Sequence, residues 1–280
     1  MGTHSVEAMV LGIAQDGGIP QLGCDCPHCR AAWRDGSLRR LVVSLGIVDH
    51  EAKTTWMVDA SPDICEQMNL LVSSFPGYRL AGLLLTHAHV GHYLGLALLG
   101  RESRDTRNLP VLCTRRMAAF LRTNQPWKQL VDLGNIELSI VESDRPVGLG
   151  STATATPVLV PHRDEHSDTV AWSIAGPTKR LVYCPDVDRW EGRILEAIEG
   201  ADIALLDGTF YSADELPGRD ISDIPHPCIS DSIKTFEGWG TEIRFIHLNH
   251  TNPLLSDEGL VGQLMERGFK IAKRCDVWKL

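Results

Sequence analysis

Short apolar runs of five to nine residues recur along the chain, each ending near a glycine, proline, aspartate, asparagine or histidine. This length and punctuation are typical of buried strands. The runs are EAMVLGIA, RLVVSLGIV, TTWMVDA, LAGLLLT, LPVLC, NIELSIV, ATPVLVP, TVAWSIA, RLVYCPD, ADIALLD and EIRFIHL. The stretches between them that predict helices are PDICEQMNLLVSS, VGHYLGLALLGRE, RRMAAFLRTN, RWEGRILEAIE, CISDSIKTFEGW and SDEGLVGQLMER. In RWEGRILEAIE, apolar residues recur at near-helical spacing: Trp190, Ile194, Leu195 and Ile198.

The order of these elements indicates the fold class. Strands follow one another closely at first and alternate with helices later. This order favours a layered α/β protein in which helices cover the sheets. Polar residues that lie at or just after the ends of predicted strands are Asp59, His87, His162, Asp186, Asp207 and His247. Because strand-end loops are where α/β proteins carry their chemistry, we expect these side chains to converge.

Composition narrows the functional classes. The chain has 280 residues, 43% apolar and 22% charged, which is enough for one large domain with a full core. Its formal charge of -9 gives no general attraction for nucleic acid or anionic membranes, so neither is an expected partner. The N-terminus lacks a basic start followed by an apolar core, and no run approaches the roughly 20 apolar residues that span a bilayer. We therefore expect a soluble cytoplasmic protein.

Three of the eight cysteines are crowded into GCDCPHC: Cys24, Cys26 and Cys29. Crowded thiols beside dispersed ones are more typical of a metal clip in a reducing compartment than of a disulfide scaffold. We therefore predict a clip at residues 23–30. Two alternatives stay open: reduced cysteines without metal, and a redox pair, which is the weaker because no thioredoxin-like βαβ pattern surrounds it.

The segment THAHVGH follows the apolar run LAGLLL and contains His87, His89 and His92. Neutral imidazole binds zinc, iron and manganese, and a short loop after a strand can direct the first two histidines at one ion. A lone histidine would more often be a surface or core residue, but three at this spacing favour a metal site. Further candidate ligands occur in VLVPHRDEH, LVYCPDVD and IRFIHLNHT: His162, His166, Asp186, His247 and His250.

These segments together resemble the metallo-β-lactamase superfamily over nearly the whole chain. THAHVGH is similar to its HxHxDH signature, Asp59 in WMVDAS to its acidic strand residue, and Asp186 to its bridging aspartate. More narrowly, VLGIAQDGGIPQLGCDCPHC, VPHRDEHSDTVAWSI, YCPDVD and FIHLNHTNP resemble the protein B family of pyrroloquinoline quinone biosynthesis. The cysteine-rich segment also resembles that of the phosphodiesterase of bacterial carbon-phosphorus lyase operons. The resemblance implies one αββα sandwich domain over residues 1–280, with metal at one edge between two sheets.

The resemblance also implies how the ligands divide between sites. The ligands of the first active-site position would be His87, His89, His162 and the shared Asp186. Those of the second would be His92, Asp186 and His247. His166 is kept as the substitute for His162, because it lies closer to the strand that follows. In the similar phosphodiesterase family the last histidine of HLNH belongs to a different zinc, so His250 would complete a tetrahedral structural site with the clip cysteines.

Gly91 departs from the superfamily signature, in which this position is an aspartate that binds the second ion. Glycine has no side chain, so the second position would keep at most three ligands and bind its ion weakly, and a single ion becomes plausible. Zinc lowers the pKa of a bound water towards about 7, which suits hydrolysis. Iron held by histidines and one carboxylate suits oxygen activation instead.

Two reactions follow from this chemistry. The preferred one is hydrolysis of a phosphoester or ester-like bond, with Asp186, Asp59 and His92 as catalytic residues and Asp186 or Asp59 orienting the water. The alternative, implied by the narrower resemblance, is an iron-dependent oxygenase acting on a tyrosine-containing peptide. A non-catalytic metal carrier is a third reading, against which the intact histidines argue. We expect zinc in the clip and active site, with iron or manganese as active-site alternatives, a small-molecule or short-peptide substrate, and a homodimer as an open alternative.

The loop PGRDISDIPHPC follows the acidic strand end at Asp207 and could reach over the pocket. Two residues of this loop and two residues outside it are weaker candidates for substrate contacts, because polar loop residues are more often simply solvated. They are Arg163, Tyr211, Arg219 and His226.

Overall fold

The computed structural model describes residues 5–215 and 225–280, whose strands form two seven-stranded sheets. The first contains β1 (Val6–Gly12), β2 (Ser44–Asp49), β3 (Thr54–Val58), β4 (Arg79–Leu84), β5 (Leu109–Cys113), β6 (Ile136–Ile140) and β14 (Val277–Lys279). The second contains β7 (Val147–Gly148), β8 (Thr154–Val160), β9 (Thr169–Ala175), β10 (Arg180–Cys184), β11 (Ile203–Asp207), β12 (Glu242–Ile246) and β13 (Lys270–Ile271). Every run predicted as a strand contains one. β7, β13 and β14 were missed because two or three residues show no periodicity.

Each sheet has a parallel half and an antiparallel half. The strand orders are β14-β1-β2-β3-β4-β5-β6 and β13-β12-β11-β10-β9-β8-β7. Strands β3 to β6 are parallel in the first sheet, and β10 to β13 are parallel in the second. The other neighbours are antiparallel. The parallel halves have helical connections, as parallel strands require.

The central strands are buried on both faces. In β1, Val6, Ala8 and Val10 pack into the core that also contains residues of the second sheet. Met9 and Leu11 of the same strand pack with the helices that cover the first sheet. This alternation is the period of two that a strand imposes. Helices therefore cover two sheets packed face to face, which confirms the predicted αββα sandwich.

The helices are α1 (Pro27–Arg34), α2 (Ile64–Ser74), α3 (Val90–Tyr93), α4 (Arg115–Thr123), α5 (Trp127–Asp132), α6 (Arg193–Glu199), α7 (Ile229–Phe236) and α8 (Glu258–Glu266). Short 3₁₀ helices occur at Gly36–Leu38, Leu94–Leu99, Ala213–Glu215 and Pro253–Leu255. Within the described part of the chain, none of the helices combines the length and apolar character needed to cross a bilayer.

Two predicted helices differ from those observed. The stretch VGHYLGLALLGRE is not one α-helix, because the N–H of Gly95 donates to Ala60 O at 2.8 Å outside the helix. The helix predicted over RWEGRILEAIE starts later, at Arg193, because Gly192 has a φ of 68°, which an α-helix cannot include. Trp190 instead lies outside α6, and its indole N–H donates to Ser232 Oγ at 2.8 Å.

Polar residues follow the carboxyl ends of the strands, as the sequence predicts. In the first sheet, Asp59 follows β3 and His87 follows β4. In the second sheet, His162 follows β8, Asp186 follows β10, Asp207 ends β11 and His247 follows β12. Asp59 and His247 have φ values of 66° and 64°, in the left-handed region that residues other than glycine seldom adopt. Such backbone conformations concentrate at functional sites, and here both turn a polar side chain towards the edge between the sheets.

Candidate metal centre

Three histidine rings meet beyond the ends of β4 and β8. His87 Nε2 lies 2.8 Å from His89 Nδ1, which lies 3.3 Å from His162 Nε2. His87 and His162 are buried, and His89 is half-buried. Nitrogen ligands about 2.0–2.1 Å from a tetrahedral zinc ion are roughly 3.3 Å apart, so the spacing of these rings fits one ion. We call these three residues the first ligand group.

A second ligand group lies beside the first and consists of Asp16, His92 and His247. His92 belongs to the short helix α3, whereas His247 directly follows β12. Asp16 Oδ1 is 3.3 Å from His92 Nε2 and 3.9 Å from His247 Nε2. Asp16 comes from the loop after β1 and is absent from the ligands predicted from the sequence.

Asp186 lies between the two groups. Its Oδ2 is 3.1 Å from His92 Nε2, and its Oδ1 is 3.5 Å from His247 Nε2 and 3.7 Å from His162 Nε2. Buried atoms that make no hydrogen bond within the described structure include Asp16 Oδ1, His92 Nε2, Asp186 Oδ2 and His247 Nε2. Because unpaired buried polar atoms are rare and costly, their convergence here fits a site built for metal.

Hydrogen bonds orient the four buried histidines through their Nδ1 atoms. The bonds join His87 to Thr86 Oγ1 (3.0 Å), His92 to Asp59 Oδ2 (2.7 Å), His162 to Asp188 Oδ1 (3.0 Å) and His247 to Thr209 Oγ1 (2.8 Å). In each case Nε2 is left as the atom directed at the ligand groups. Partners of this kind fix the ring orientation and the tautomer of metal-binding histidines.

Burial sets the protonation state of the first ligand group. It lowers the pKa of His87 well below its usual value. It also lowers the pKa values of His89 and His162. The three imidazoles are therefore neutral at pH 7, which is the form that binds metal.

The second group is dominated by opposite charges. Burial lowers the pKa of His92, but the carboxylates of Asp59 and Asp186 raise it well above its usual value overall. Burial raises the pKa of Asp186, but His247 and His92 lower it well below the ordinary range. The pKa of Asp16 is lowered well below its usual value by the same two histidines against the effect of burial. The carboxylates are thus ionised and suited to a cation.

The cysteine-rich segment forms a separate candidate metal site with a histidine that lies far from it in the sequence. Cys24, Cys26, Cys29 and His250 present ligand atoms that all lie within 4.8 Å of one another. The thiols of Cys24 and Cys26 lie 3.5 and 3.4 Å from His250 Nδ1. In a tetrahedral site with zinc–sulfur and zinc–nitrogen distances of about 2.3 and 2.0–2.1 Å, sulfur and nitrogen are roughly 3.6 Å apart. The predicted clip residues therefore fit a closed zinc site.

Helix α1 and His28 hold this clip together. Pro27 is the first residue of α1, and Cys26 caps the helix because its thiol accepts from Cys29 N at 3.5 Å. His28 bonds His250 O through Nδ1 at 2.7 Å and Ser256 Oγ through Nε2 at 2.8 Å. His28 thus fixes the backbone of the fourth ligand, a role that the sequence did not indicate.

Comparison with known proteins identifies the family of this chain. The model of the β-lactamase superfamily domain matches residues 54–248. The chain belongs to the metallo-β-lactamase superfamily. Coenzyme PQQ synthesis protein B of Methylobacterium sp. strain 4-46 is 31% identical over 295 residues, covering 95% of this chain and 97% of that protein. The protein of the same name from Nitrosococcus oceani is 28% identical, covering 94% and 96%.

Two solved structures show the same superfamily fold. Zinc-bound PqqB from Methylobacterium extorquens has a TM-score of 0.84 and 24% identity, covering 98% of this chain and all of that chain. A diphosphatase of the PhnP family has a TM-score of 0.74 and 22% identity, covering 99% and 97%. At these identities the likeness bears on the fold, which is the metallo-β-lactamase sandwich predicted from the sequence.

His162 and His166 were alternatives for one superfamily ligand, and the structure separates them. His162 is buried within the first ligand group. His166 is exposed, and its ring packs 5.6 Å from that of Phe120. The reason is geometric, since His162 comes directly off β8 while His166 lies farther along the surface loop. The structure therefore places His162, and not the substitute His166, in the first ligand group.

Asp59 was predicted to orient a water, but its surroundings give it another role. The carboxylate is buried against THAHVGH, where Oδ1 accepts from Thr86 N and from Thr86 Oγ1, both at 2.9 Å. Asp59 Oδ2 also bonds His92 Nδ1. With its oxygens engaged behind His92, Asp59 is a positioning residue.

His226 is more important in the structure than its loop position suggested. It is nearly buried, its Nδ1 lies 2.7 Å from Asp207 Oδ2, and its ring is 5.2 Å from that of His162. Burial lowers its pKa, but Asp207 raises it to about 8 overall. Arg163 is exposed and pairs with Glu165. Arg219, another weak candidate, lies outside the described residues.

Proposed function

We propose that this protein is a metal-dependent hydrolase that cleaves a phosphodiester or diphosphate bond in a small molecule. The observation that carries this proposal is the meeting of two ligand groups at Asp186. Two adjacent metal ions are typical of phosphoester hydrolases, where one ion serves the attacking oxygen and the other the leaving oxygen. The fold neighbour described as a diphosphatase supports the same substrate class.

Metal bound by these ligands would lower the pKa of a water to about 7 and neutralise charge on the phosphoryl oxygens. The protein's own contribution is to fix the ligands. Asp186 Oδ2 lies near His92, and Oδ1 lies between His247 of the second group and His162 of the first. The Nδ1 bonds to Thr86, Asp59, Asp188 and Thr209 prevent the histidine rings from turning. This preorganised arrangement spares the site a costly rearrangement during reaction.

His226 is suited to protonate the leaving group. Asp207 holds its Nδ1, so Nε2 is the ring nitrogen available to a substrate. Asp207 is itself fixed, because Oδ1 accepts from Thr209 Oγ1 at 2.7 Å and Oδ2 from Val187 N at 3.1 Å. With a pKa of about 8, His226 is protonated at pH 7 and can donate its proton as an alkoxide departs.

The role of His226 is tested by varying the leaving group. We expect His226→Asn to lower kcat by roughly 10²- to 10⁴-fold on an alkyl phosphodiester, whose leaving group needs a proton. The loss should be below about tenfold on a p-nitrophenyl phosphodiester, because nitrophenolate departs unprotonated. Metal content, measured in parallel, should stay unchanged. An equal loss on both substrates would contradict the assigned role.

A second candidate is an iron-dependent oxygenase acting on a tyrosine-containing peptide. It is favoured by the 31% identity to coenzyme PQQ synthesis protein B over 95% of the chain. The two proposals are separated by loading one protein preparation with zinc, manganese or ferrous iron. Phosphodiester cleavage with zinc or manganese supports the hydrolase. Oxygen uptake that requires iron and a tyrosine-containing peptide, without phosphodiester cleavage, would overturn it.

A further inference from the structure

Gly91 is the position where this chain departs from the HxHxDH signature. A Cβ added to Gly91 would lie 2.1 Å from Asp16 Oδ1 and 2.9 Å from Asp16 Cγ. It would also lie 2.8 Å from Asp16 Cα, which is backbone and cannot swing aside. Residue 91 does not have a positive φ, so its backbone conformation does not demand glycine. Glycine is instead required because Asp16 occupies the space of a side chain at position 91.

The backbone holds Asp16 at this place. Just before it, Gln15 N donates to Leu248 O at 3.0 Å, and Leu248 N donates to Ile13 O at 2.8 Å. Just after it, Gly18 N closes a turn onto Gln15 O at 2.7 Å. The loop after β1 is therefore paired with the segment that follows His247. This pairing brings the carboxylate of Asp16 close to His92 of the second ligand group.

The side chain of Asp16 is directed into the second ligand group. Although 31% of the side chain is exposed, Oδ1 is buried and makes no hydrogen bond within the described structure. His92 Nε2 and His247 Nε2, its nearest histidine atoms, are buried and equally without a hydrogen bond. Leaving three such atoms unpaired would be costly, whereas a shared cation would satisfy all of them at once.

We propose that Asp16 is a ligand of the second metal ion and replaces the side chain that is missing at position 91. In the HxHxDH signature the carboxylate comes from the residue just before the last histidine. In this chain it would come from the loop after β1, where Asp16 lies beside His92. The chain would then hold two ions in the active site despite Gly91. This inference concerns how metal is held, so it stands whether the reaction is hydrolysis or oxygenation.

If the proposal is correct, a carboxylate at position 91 can take the place of the one at position 16, provided that the side chain of Asp16 is removed. Asp16→Asn keeps the shape of the side chain but weakens it as a metal ligand, because a neutral amide oxygen replaces a carboxylate. Gly91→Asp alone forces two side chains into one space and should also lose the ion. The double variant Asp16→Gly/Gly91→Asp removes the overlapping side chain and moves the carboxylate back to the signature position. It should recover binding once the loop, with glycine at 16, shifts by the small amount that the remaining 2.8 Å approach to the Cα of residue 16 requires. Asp132→Asn is the control, because Asp132 is an exposed aspartate on α5, outside both ligand groups and the clip.

The test measures metal and requires no substrate. Full-length protein is stripped, loaded with manganese alone, and examined by competition titration and by electron paramagnetic resonance, which detects coupling between adjacent manganese ions. We expect Asp16→Asn and Gly91→Asp to weaken the binding of one ion by roughly 100-fold or more and to abolish the coupling, and Asp16→Asn to do so with unchanged circular dichroism. The double variant should restore both. Coupled ions of wild-type affinity in Asp16→Asn would overturn the proposal.

Discussion

Replacing Cys26 with serine should remove the clip metal and release the N-terminal loop. The thiol of Cys26 lies 3.4 Å from His250 Nδ1 and accepts from the backbone N–H of Cys29. Serine is similar in size, but its hydroxyl does not ionise at neutral pH and is a poor ligand for zinc. The change therefore removes the metal bond with little direct effect on packing.

The size of the effect follows from the length of chain that the clip closes. Cys26 and His250 are 224 residues apart. In the chain-entropy model a cross-link over such a loop stabilises the fold by about 5 kcal/mol. This is an upper figure, because the pairing of Ala14 with Leu248 and the bonds of His28 also hold the loop. We expect a loss of roughly 2–4 kcal/mol, which lowers the melting temperature by roughly 4–16 °C.

The assay combines elemental analysis with thermal unfolding followed by circular dichroism. Cys26→Ser should lose one zinc per chain and melt at the lower temperature. Cys65→Ser is the matched control, because Cys65 is a free, exposed thiol on α2, and it should match the wild type. Wild-type zinc content and melting temperature in Cys26→Ser would refute the clip. If Cys26→Ser and His89→Ala remove the same ion, the idea of two separate sites fails.

Three further substitutions test the active-site metal, the role of Asp59 and the stability supplied by Asp49. His89→Ala should reduce activity at least about 100-fold, by loss of active-site metal, while the clip zinc and melting temperature are retained. Asp59→Asn should weaken active-site metal by roughly 10- to 100-fold in a titration, since it disturbs His92 without removing a ligand. Asp49→Asn should destabilise the fold by about 1–3 kcal/mol at pH 7, because the carboxylate accepts from Ala52 N and Ser151 N. Burial raises the pKa of Asp49, but these bonds lower it overall. The difference between wild type and variant in urea unfolding should therefore be full above about pH 5 and shrink as the pH falls through about 4 and below. A difference that grows below pH 4 would contradict that assignment.

The strand ends and the histidine signature could be predicted from sequence because they are local patterns. A buried strand followed by a polar residue is visible in LAGLLLTHAH and in LVYCPD, and the sheet then brings His87 and Asp186 together. The pairing of His250 with the cysteines was also predicted, but it depended on a family resemblance. Nothing in the spacing alone joins residues so far apart in the chain.

Asp16 and His226 could not be identified in this way, because their positions depend on long-range packing. In AQDGG, Asp16 looks like a turn residue, and only its pairing next to Leu248 brings it to His92. His226 lies in a polar loop, where its burial against Asp207 has no local signal. Gly91 was the one sequence feature that pointed to Asp16, because a ligand missing from an otherwise intact signature indicates that another residue replaces it.

We propose that two metal ions flank Asp186 and that the cysteine clip holds a third. Anomalous diffraction at the zinc absorption edge, from crystals of zinc-loaded protein, tests this directly because it locates each ion. We predict three peaks: one among the three cysteines and His250, one at His87, His89 and His162, and one at Asp16, His92 and His247. A single peak beside Asp186, or a second one that Asp16 does not contact, would contradict it.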